Sequence, residues 1–316
     1  MLSIKNLKRN FLSILQQKKN DLLIQLAIEA DGLTLLDIGA AGQIEPRWRP
    51  IASQLRYIGV EPDERSSLQL TNNYKCREYK IINSLIWSSS EEISLYLCDK
   101  PEVSSAFQPN TSFINRFPEN GRFEVKGVVN FKGTTLDSEL KKRVVDFVKL
   151  DIQGAELNAL QGMQNSLRPC FGLEVEIEFS ELYKNQPLFG EVNNYLSSND
   201  FEFIDFTNLC RWERNSYNSL GQCVFGDALW LRSPEFVANH FTENYLKYIV
   251  ICSLYGRYDL VLKTLEIIDK PHSNKFIKAI NKLIKIQKNT LTAQKLMNKI
   301  LNLISQDKNT RMHLIY

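Results

Sequence analysis

Apolar residues in the first thirty positions fall at Leu7, Phe11, Ile14, Leu15, Leu22 and Leu26. Their steps of three, four and seven lay one stripe along an amphipathic helix. From residue 33 to about 231 the pattern changes to short apolar runs separated by helical stretches. That alternation builds a parallel sheet covered by helices. Main strands are predicted over 33–37, 57–61, 80–85, 147–151, 172–179, 201–206 and 222–231. Two weaker runs, 93–98 and 123–131, alternate as edge or antiparallel strands do and read as an insertion between the third and fourth main strands.

Beyond Pro234 no strand signal returns, and 245–255, 260–268, 276–287 and 291–304 each carry apolar residues at helical spacing. The stretch Leu254-Tyr255-Gly256-Arg257-Tyr258-Asp259 resembles half of a tetratricopeptide-type hairpin. A single such unit reads as an ordinary helical hairpin. The expected architecture is α/β, a Rossmann-like, mostly parallel sheet of seven main strands over residues 32–234. An N-terminal helix over 1–31 and an all-helical C-terminal extension over 235–316 flank it. These terminal helices read either as a surface for self-association or for docking a larger acceptor, or as a cover for the sheet.

Composition narrows the class. With 43% hydrophobic and 24% charged residues, the chain is neither disordered nor built to span a bilayer. Its longest near-apolar run, 248–255, falls far short of the roughly 20 residues a spanning helix needs. The apolar run near the amino end, 11–15, is too short for a signal-peptide core, so a cytoplasmic protein without a transmembrane segment is expected. The net charge of +3 hides an asymmetry: from Phe241 onward 13 Lys and Arg face 5 Asp and Glu (+8), which leaves −5 on the first 240 residues. An acidic body with a basic helical tail does not fit a nucleic-acid reader.

Cys76, Cys98, Cys170, Cys210, Cys223 and Cys252 include no C-x-x-C pair, and the three histidines, His240, His272 and His313, lie in the last quarter. A site built from earlier residues therefore has no His base, no His metal ligand and no Ser-His-Asp triad. Carboxylates, Lys, Tyr and Cys remain.

The candidate chemistry sits at strand ends. Leu35-Leu36-Asp37-Ile38-Gly39-Ala40-Ala41-Gly42 is an acid followed by a small-residue turn, which lets a ligand approach the backbone. It lacks the G-x-G-x-x-G of a dinucleotide fingerprint. An acid here suits a ligand with a positive amino group and no pyrophosphate, as in S-adenosyl-L-methionine. The second strand ends in Glu61, 24 positions later, where a carboxylate can accept both ribose hydroxyls or, alternatively, cap the next helix. The third tip offers Asn83 and Ser84 to an adenine ring, although Asn-Ser is also ordinary turn chemistry. The fourth runs a buried strand into Asp151, a glycine turn and Glu156, so Asp151 would stand beside the cofactor's reactive end.

Thr134-Thr135-Leu136-Asp137-Ser138 followed by Phe147-Val148-Lys149-Leu150-Asp151-Ile152-Gln153-Gly154-Ala155-Glu156-Leu157 resembles the hallmark of the FkbM family of S-adenosylmethionine-dependent methyltransferases. Asp37-Ile38-Gly39-Ala40, Glu61-Pro62, Asn83 and Ser104-Ser105 are similar to that family's other landmarks, in the same order, over residues 33 to 231. Two departures stand out: the second glycine of the first loop is Gly42, one place early, and the acid usual before Gly154 is Gln153. The resemblance implies a class I methyltransferase sheet and O-methylation of a hydroxyl on a sugar, glycan or secondary metabolite. It demands no metal.

The fifth strand alternates Glu174, Glu176 and Glu178 with apolar residues. Three carboxylates cannot all be buried unpaired, so the expectation is a partly solvated face or pairing with Lys and Arg, with Glu178 as a candidate for the acceptor pocket. Candidate catalytic residues are therefore Asp151, Glu156 and Glu178. Candidate cofactor contacts are Asp37, Gly39, Ala40, Glu61, Asn83, Ser84 and Asp151. The rival readings are a nucleotide-cofactor oxidoreductase of NAD type and a non-catalytic scaffold acting through its helical extension.

Overall fold

The computed structural model describes residues 2–40, 43–67, 70, 73–215, 219–269 and 273–312. Ala41, Gly42, His272 and His313 lie outside them, as does the side chain of Leu7. Strands form at β1 (Leu33–Ile38), β2 (Leu55–Val60), β3 (Glu78–Ile82), β4 (Glu92–Cys98), β5 (Val125–Lys132), β6 (Phe147–Leu150), β7 (Gly172–Glu178), β8 (Glu202–Trp212) and β9 (Gln222–Leu231). Seven of them make one sheet in the order β3-β2-β1-β6-β7-β9-β8. The first five in that order run parallel, and β9 pairs antiparallel with β7 and β8. This is the strand order of the class I methyltransferase sheet. As the insertion pattern predicts, β4 and β5 form a separate antiparallel pair between the third and fourth sheet strands.

The period-2 pattern of the strands sorts their side chains to two cores. Leu33, Leu35, Tyr57, Phe147, Leu229 and Leu231 enter one. Leu36, Ile58, Val148, Leu150, Leu173 and Trp230 enter the other. The second core is closed by short helices from the middle of the chain, including Leu136–Leu140, Glu156–Gln161 and Phe189–Ser197. The first is closed by the two ends: Leu23, Leu26 and Ala27 of the leading helix Leu2–Glu29 and Tyr248, Val261, Ile280 and Leu283 of the C-terminal helices. The terminal helices thus cover one face of the sheet. None of the described helices is long and apolar enough to cross a membrane.

Three elements differ from the sequence pattern. A helix at Pro234–His240 was not anticipated, although Ser233 is a visible cap, accepting from the Phe236 N–H at 3.1 Å, with Pro234 in the first turn. The stretches read as separate helices over 276–287 and 291–304 are one helix, Ser273–Met312. The polar link between them holds no Gly or Pro, and the Thr290 hydroxyl donates back to the Ile286 carbonyl at 2.9 Å instead of breaking the ladder. Strand β8 runs to Trp212, past the predicted end, because β9 continues to pair with it through three register shifts.

The cover is tied to the sheet by charge as well as by packing. Asp146, just before β6, is 2% exposed; its carboxylate accepts the Thr34 N–H at 2.7 Å and pairs with Lys247 of the helix Tyr245–Leu254 at 2.9 Å. Burial pushes this carboxyl up, against the opposing charge of Lys247. Lys247→Ala should therefore destabilise the protein by about 3 kcal/mol at neutral pH by stranding a buried charge. Urea denaturation checks this, and an unchanged midpoint would show that the pair holds nothing.

Candidate functional site

Strands β1 and β6 lie side by side, and the chain leaves them in opposite directions across the sheet, which opens a crevice beyond their carboxyl ends. Gly39 makes the crevice narrow enough to be specific. Its φ is +79°, its N–H donates to the Val60 carbonyl at 2.9 Å, and a Cβ on it would come 1.8 Å from the Asp151 carbonyl oxygen. Only glycine lets the two strand ends approach so closely.

Over this crevice lies a cavity of about 520 Å³. Asp37, Gly39, Glu61, Ser84 and Asp151 line it. Ala40, Asn83, Glu156 and Glu178 do not: Ala40 is buried with its N–H on Val60, and Asn83 is exposed to solvent. The Glu156 carboxylate accepts the Ile152 N–H at 2.8 Å and so braces the turn after Asp151 from behind. Burial pushes its carboxyl up to about 8. Glu178 is 2% exposed, and burial together with the charge of Glu156 raises its carboxyl well above the usual range.

The expectation of a solvated face on β7 is corrected: all of its residues are buried. Glu174 is satisfied by Arg47 at 3.0 Å, the Thr207 hydroxyl at 2.5 Å and the Tyr255 hydroxyl at 2.8 Å. Glu176 reaches the cavity, where burial first, then the charges of Asp151 and Glu178, push its carboxyl well above the usual range.

The electrostatics at the tips follow from one cation. Lys149 Nζ is 3.2 Å from Asp151 Oδ2 and 3.9 Å from Asp37 Oδ1. Burial would lower the lysine, but the two carboxylates hold it charged. In return Asp151 lies below the usual carboxylate range despite its burial, through Lys149 and hydrogen bonds from Gln153 and Glu176. Asp37 goes the other way: burial raises it, against Lys149 and the Tyr57 hydroxyl that donates to Oδ2 at 2.8 Å. Glu61 accepts the Asp63 N–H at 2.8 Å, and burial followed by the charges of Asp63, Asp151 and Asp37 lifts it to about 7.

Two residues outside the candidate set line the cavity beside Asp151: Lys149, and Gln153, which the sequence marks only as a departure from the family pattern. Lys149 stands two places before Asp151 on the same strand, which puts both on one side by alternation; that signal was available. Gln153 has φ +58°. Its amide donates to Asp151 at 3.1 Å and Glu176 at 2.5 Å, and its side-chain oxygen accepts the Tyr183 hydroxyl at 2.9 Å. Its carbonyl accepts the Ser105 hydroxyl at 2.6 Å. Ser104 accepts from Arg65, which pairs with Asp63 at 2.6 Å, so both serines of the insertion are fastened to the tips.

A ligand for this site must bring positive charge and hydrogen-bond donors. Asp37 Oδ1 is buried with no hydrogen-bond partner among the described residues, and Asp37, Glu61 and Asp151 face the cavity against Lys149 as the nearby cation. The cationic amino group and sulfonium of S-adenosylmethionine, with its ribose diol, fit that donor-poor set.

A family model described as Methyltransferase FkbM domain matches residues 45–203. No curated protein matches the chain. Among solved structures, it is similar to a magnesium protoporphyrin IX methyltransferase from Synechocystis PCC 6803 with bound SAM, at 12% identity, covering 69% of this chain and 79% of that one, with a TM-score of 0.33. It is also similar to TrmK of M. capricolum in complex with S-adenosyl-homocysteine (12%, 85% and 96%, TM-score 0.29). A third is the Burkholderia thailandensis 1,6-didemethyltoxoflavin-N1-methyltransferase (13%, 72% and 87%, TM-score 0.30).

The tight β1–β6 approach gives a test. Gly39→Ala should cost about 2 kcal/mol or more, from a left-handed backbone and a clash with main chain. Gly121→Ala, where a Cβ meets nothing within 4 Å, serves as the control. Equal melting temperatures for the two variants would contradict the role given to Gly39.

Proposed function

The chain belongs to the FkbM methyltransferase family, and from that premise we propose that it transfers a methyl group to a hydroxyl of a sugar, glycan or secondary metabolite. The observation that carries the reading is the gathering of Asp37, Glu61 and Asp151 around Gly39 in one cavity at the β1–β6 crevice. Its cofactor, S-adenosylmethionine, supplies when bound an electrophilic methyl on a cationic sulfur. Asp37, whose Oδ1 accepts no hydrogen bond among the described residues, would hold the amino group; Glu61 would take the ribose hydroxyls; and Ser84, Leu85 and Ile86, which line the cavity, would flank the base.

Asp151 accepts a hydrogen bond from the acceptor hydroxyl and so aims an oxygen lone pair. Its lowered pKa makes it a weak base, which suits orientation more than early deprotonation. A hydroxyl proton becomes acidic as its oxygen's lone pair enters a new bond, so an ionised carboxylate in contact is sufficient to take it then. Lys149 keeps Asp151 ionised, and Gln153 fixes its other oxygen. Screening hydroxyl-bearing against amine-bearing acceptors for transfer of a radiolabelled methyl tests the acceptor class; transfer to amines alone would refute it.

Ionised Glu61 is the form that accepts ribose hydroxyls without competing as a donor. Affinity for S-adenosylhomocysteine, measured by calorimetry, should therefore weaken as pH falls through about 7, where Glu61 gains a proton. Glu61→Gln should weaken binding by about 2 kcal/mol above that pH and flatten the profile. NAD should not bind. Tight NAD binding, or a pH profile that Glu61→Gln leaves unchanged, would overturn the assignment.

A further inference from the structure

Away from the strand tips the cavity wall is apolar and aromatic, with Val103, Phe123, Leu182, Trp212 and Phe225. These belong to a small core of their own, built from the insertion and the β8–β9 end of the sheet. Trp212 contacts Phe117 at 5.3 Å and Phe123 at 6.0 Å between ring centroids, and Phe113 contacts Phe117 at 5.4 Å. Arginines lie over these rings. The Arg122 guanidinium is 4.9 Å from the Trp212 ring and 5.0 Å from Phe123, Arg116 is 5.2 Å from Phe113, and Arg214 is 5.9 Å from Phe117.

An arginine on a protein surface normally finds a carboxylate. Among the described residues none of these three makes an ion pair, although Glu102 lines the cavity and Glu119 and Glu213 border the depressions outside it. Arg122 is the one that reaches the cavity. It also lines the two shallower depressions beside it, one with Lys100 and Gly121, the other with Phe117 and Arg211, and so stands at the mouth. A guanidinium resting on a ring spends its face on that contact and leaves its in-plane N–H donors for a planar anion.

The cavity is therefore electrically two-ended, with an excess of carboxylates at the strand tips and, at the mouth, a guanidinium that makes no ion pair among the described residues. We propose, resting on the methyl-transfer reading of this cavity, that Arg122 anchors an anionic group of the acceptor, an acidic saccharide whose ring lies against Trp212 and Phe225. The anion is repelled by the tip carboxylates and held by Arg122, so the molecule enters in one orientation, hydroxyl toward Asp151. An aromatic wall suits the apolar face of a sugar ring. Carboxylate and phosphate each present a pair of oxygens to the guanidinium fork, and both satisfy the site.

Calorimetry on the full-length protein saturated with S-adenosylhomocysteine tests this. The probes are trigalacturonate for the carboxylate, a hexose phosphate for the phosphate, maltotriose as the neutral saccharide and an oligouridylate for RNA. At least one acidic saccharide should bind about tenfold more tightly than maltotriose, a preference that Arg122→Gln removes and Arg122→Lys keeps in part. Which of the two acidic probes wins identifies the anion. Equal binding of acidic and neutral saccharides, no binding of either acidic probe, or a preference that survives Arg122→Gln would overturn the anchor. An Arg122→Lys variant as weak as Arg122→Gln would exclude an anchor based on charge, and tighter binding of the oligouridylate would replace a saccharide with a nucleic acid. The affinity for S-adenosylhomocysteine itself, measured first, separates the two readings: its absence defeats the cofactor assignment, whereas its presence without an anion preference defeats only the proposal for Arg122.

Discussion

Lys149 is the side chain on which the site depends. Parallel strands that end side by side bring their terminal side chains together, and here β1 and β6 deliver Asp37 and Asp151 to one crevice. Two carboxylates at such a distance from bulk water repel, and burial penalises both. Lys149, between them on β6, offsets part of that repulsion, and it is itself held charged by them against the cost of burial. The compensation is incomplete. Glu61 is lifted towards neutrality and Asp37 keeps an oxygen without a donor, so the strand tips carry unfavourable electrostatics that a cationic ligand would relieve. Affinity for such a ligand then comes in part from the folding of the strand tips.

The covering helices reach this site through β7. Its first glutamate, Glu174, is satisfied by Arg47 and by Tyr255 at the end of a C-terminal helix, and Arg47 also lies 4.2 Å from the Tyr255 ring. Glu174 is thereby kept as a partner of the cover, while Glu176, two residues on, faces the cavity and shares a hydrogen bond with Asp151. Alternation along one strand thus gives one acid to the scaffold and one to the site. The ends of the chain are consequently tied to the cavity without lining it.

Much of this was legible in the sequence because a buried parallel strand is a short apolar run and its tip is the next polar residue. Asp37, Glu61 and Asp151 stand at tips read in that way. What was not legible depended on contacts between segments distant in the chain. Periodicity could not say whether the terminal stripes cover the sheet or face a partner, since both need the same pattern. Nor could it show that Glu156 and Glu178 turn away from the cavity: each has a strand-end or helix-start position like that of Asp151. The Glu156 carboxylate instead accepts the Ile152 N–H of the turn after Asp151. Arg122 carried no local signal at all, because its meaning comes from rings supplied by Phe123 beside it and Trp212 from another strand.

Gln153 shows how a departure from a family pattern can be read physically. The usual residue there is an acid, which would stand within hydrogen-bond reach of Asp151 and Glu176 and would have to carry a proton to do so. A glutamine makes both donations at any pH, and its oxygen is free to accept from Tyr183. One titrating group is removed from a cluster that already holds Asp151, Glu156, Glu176 and Glu178. Lys149 and the amide lower the Asp151 carboxyl, and burial raises that of Glu176 beside it. The exchange of a carboxyl for an amide therefore supports the charge on Asp151 with a donor that does not titrate.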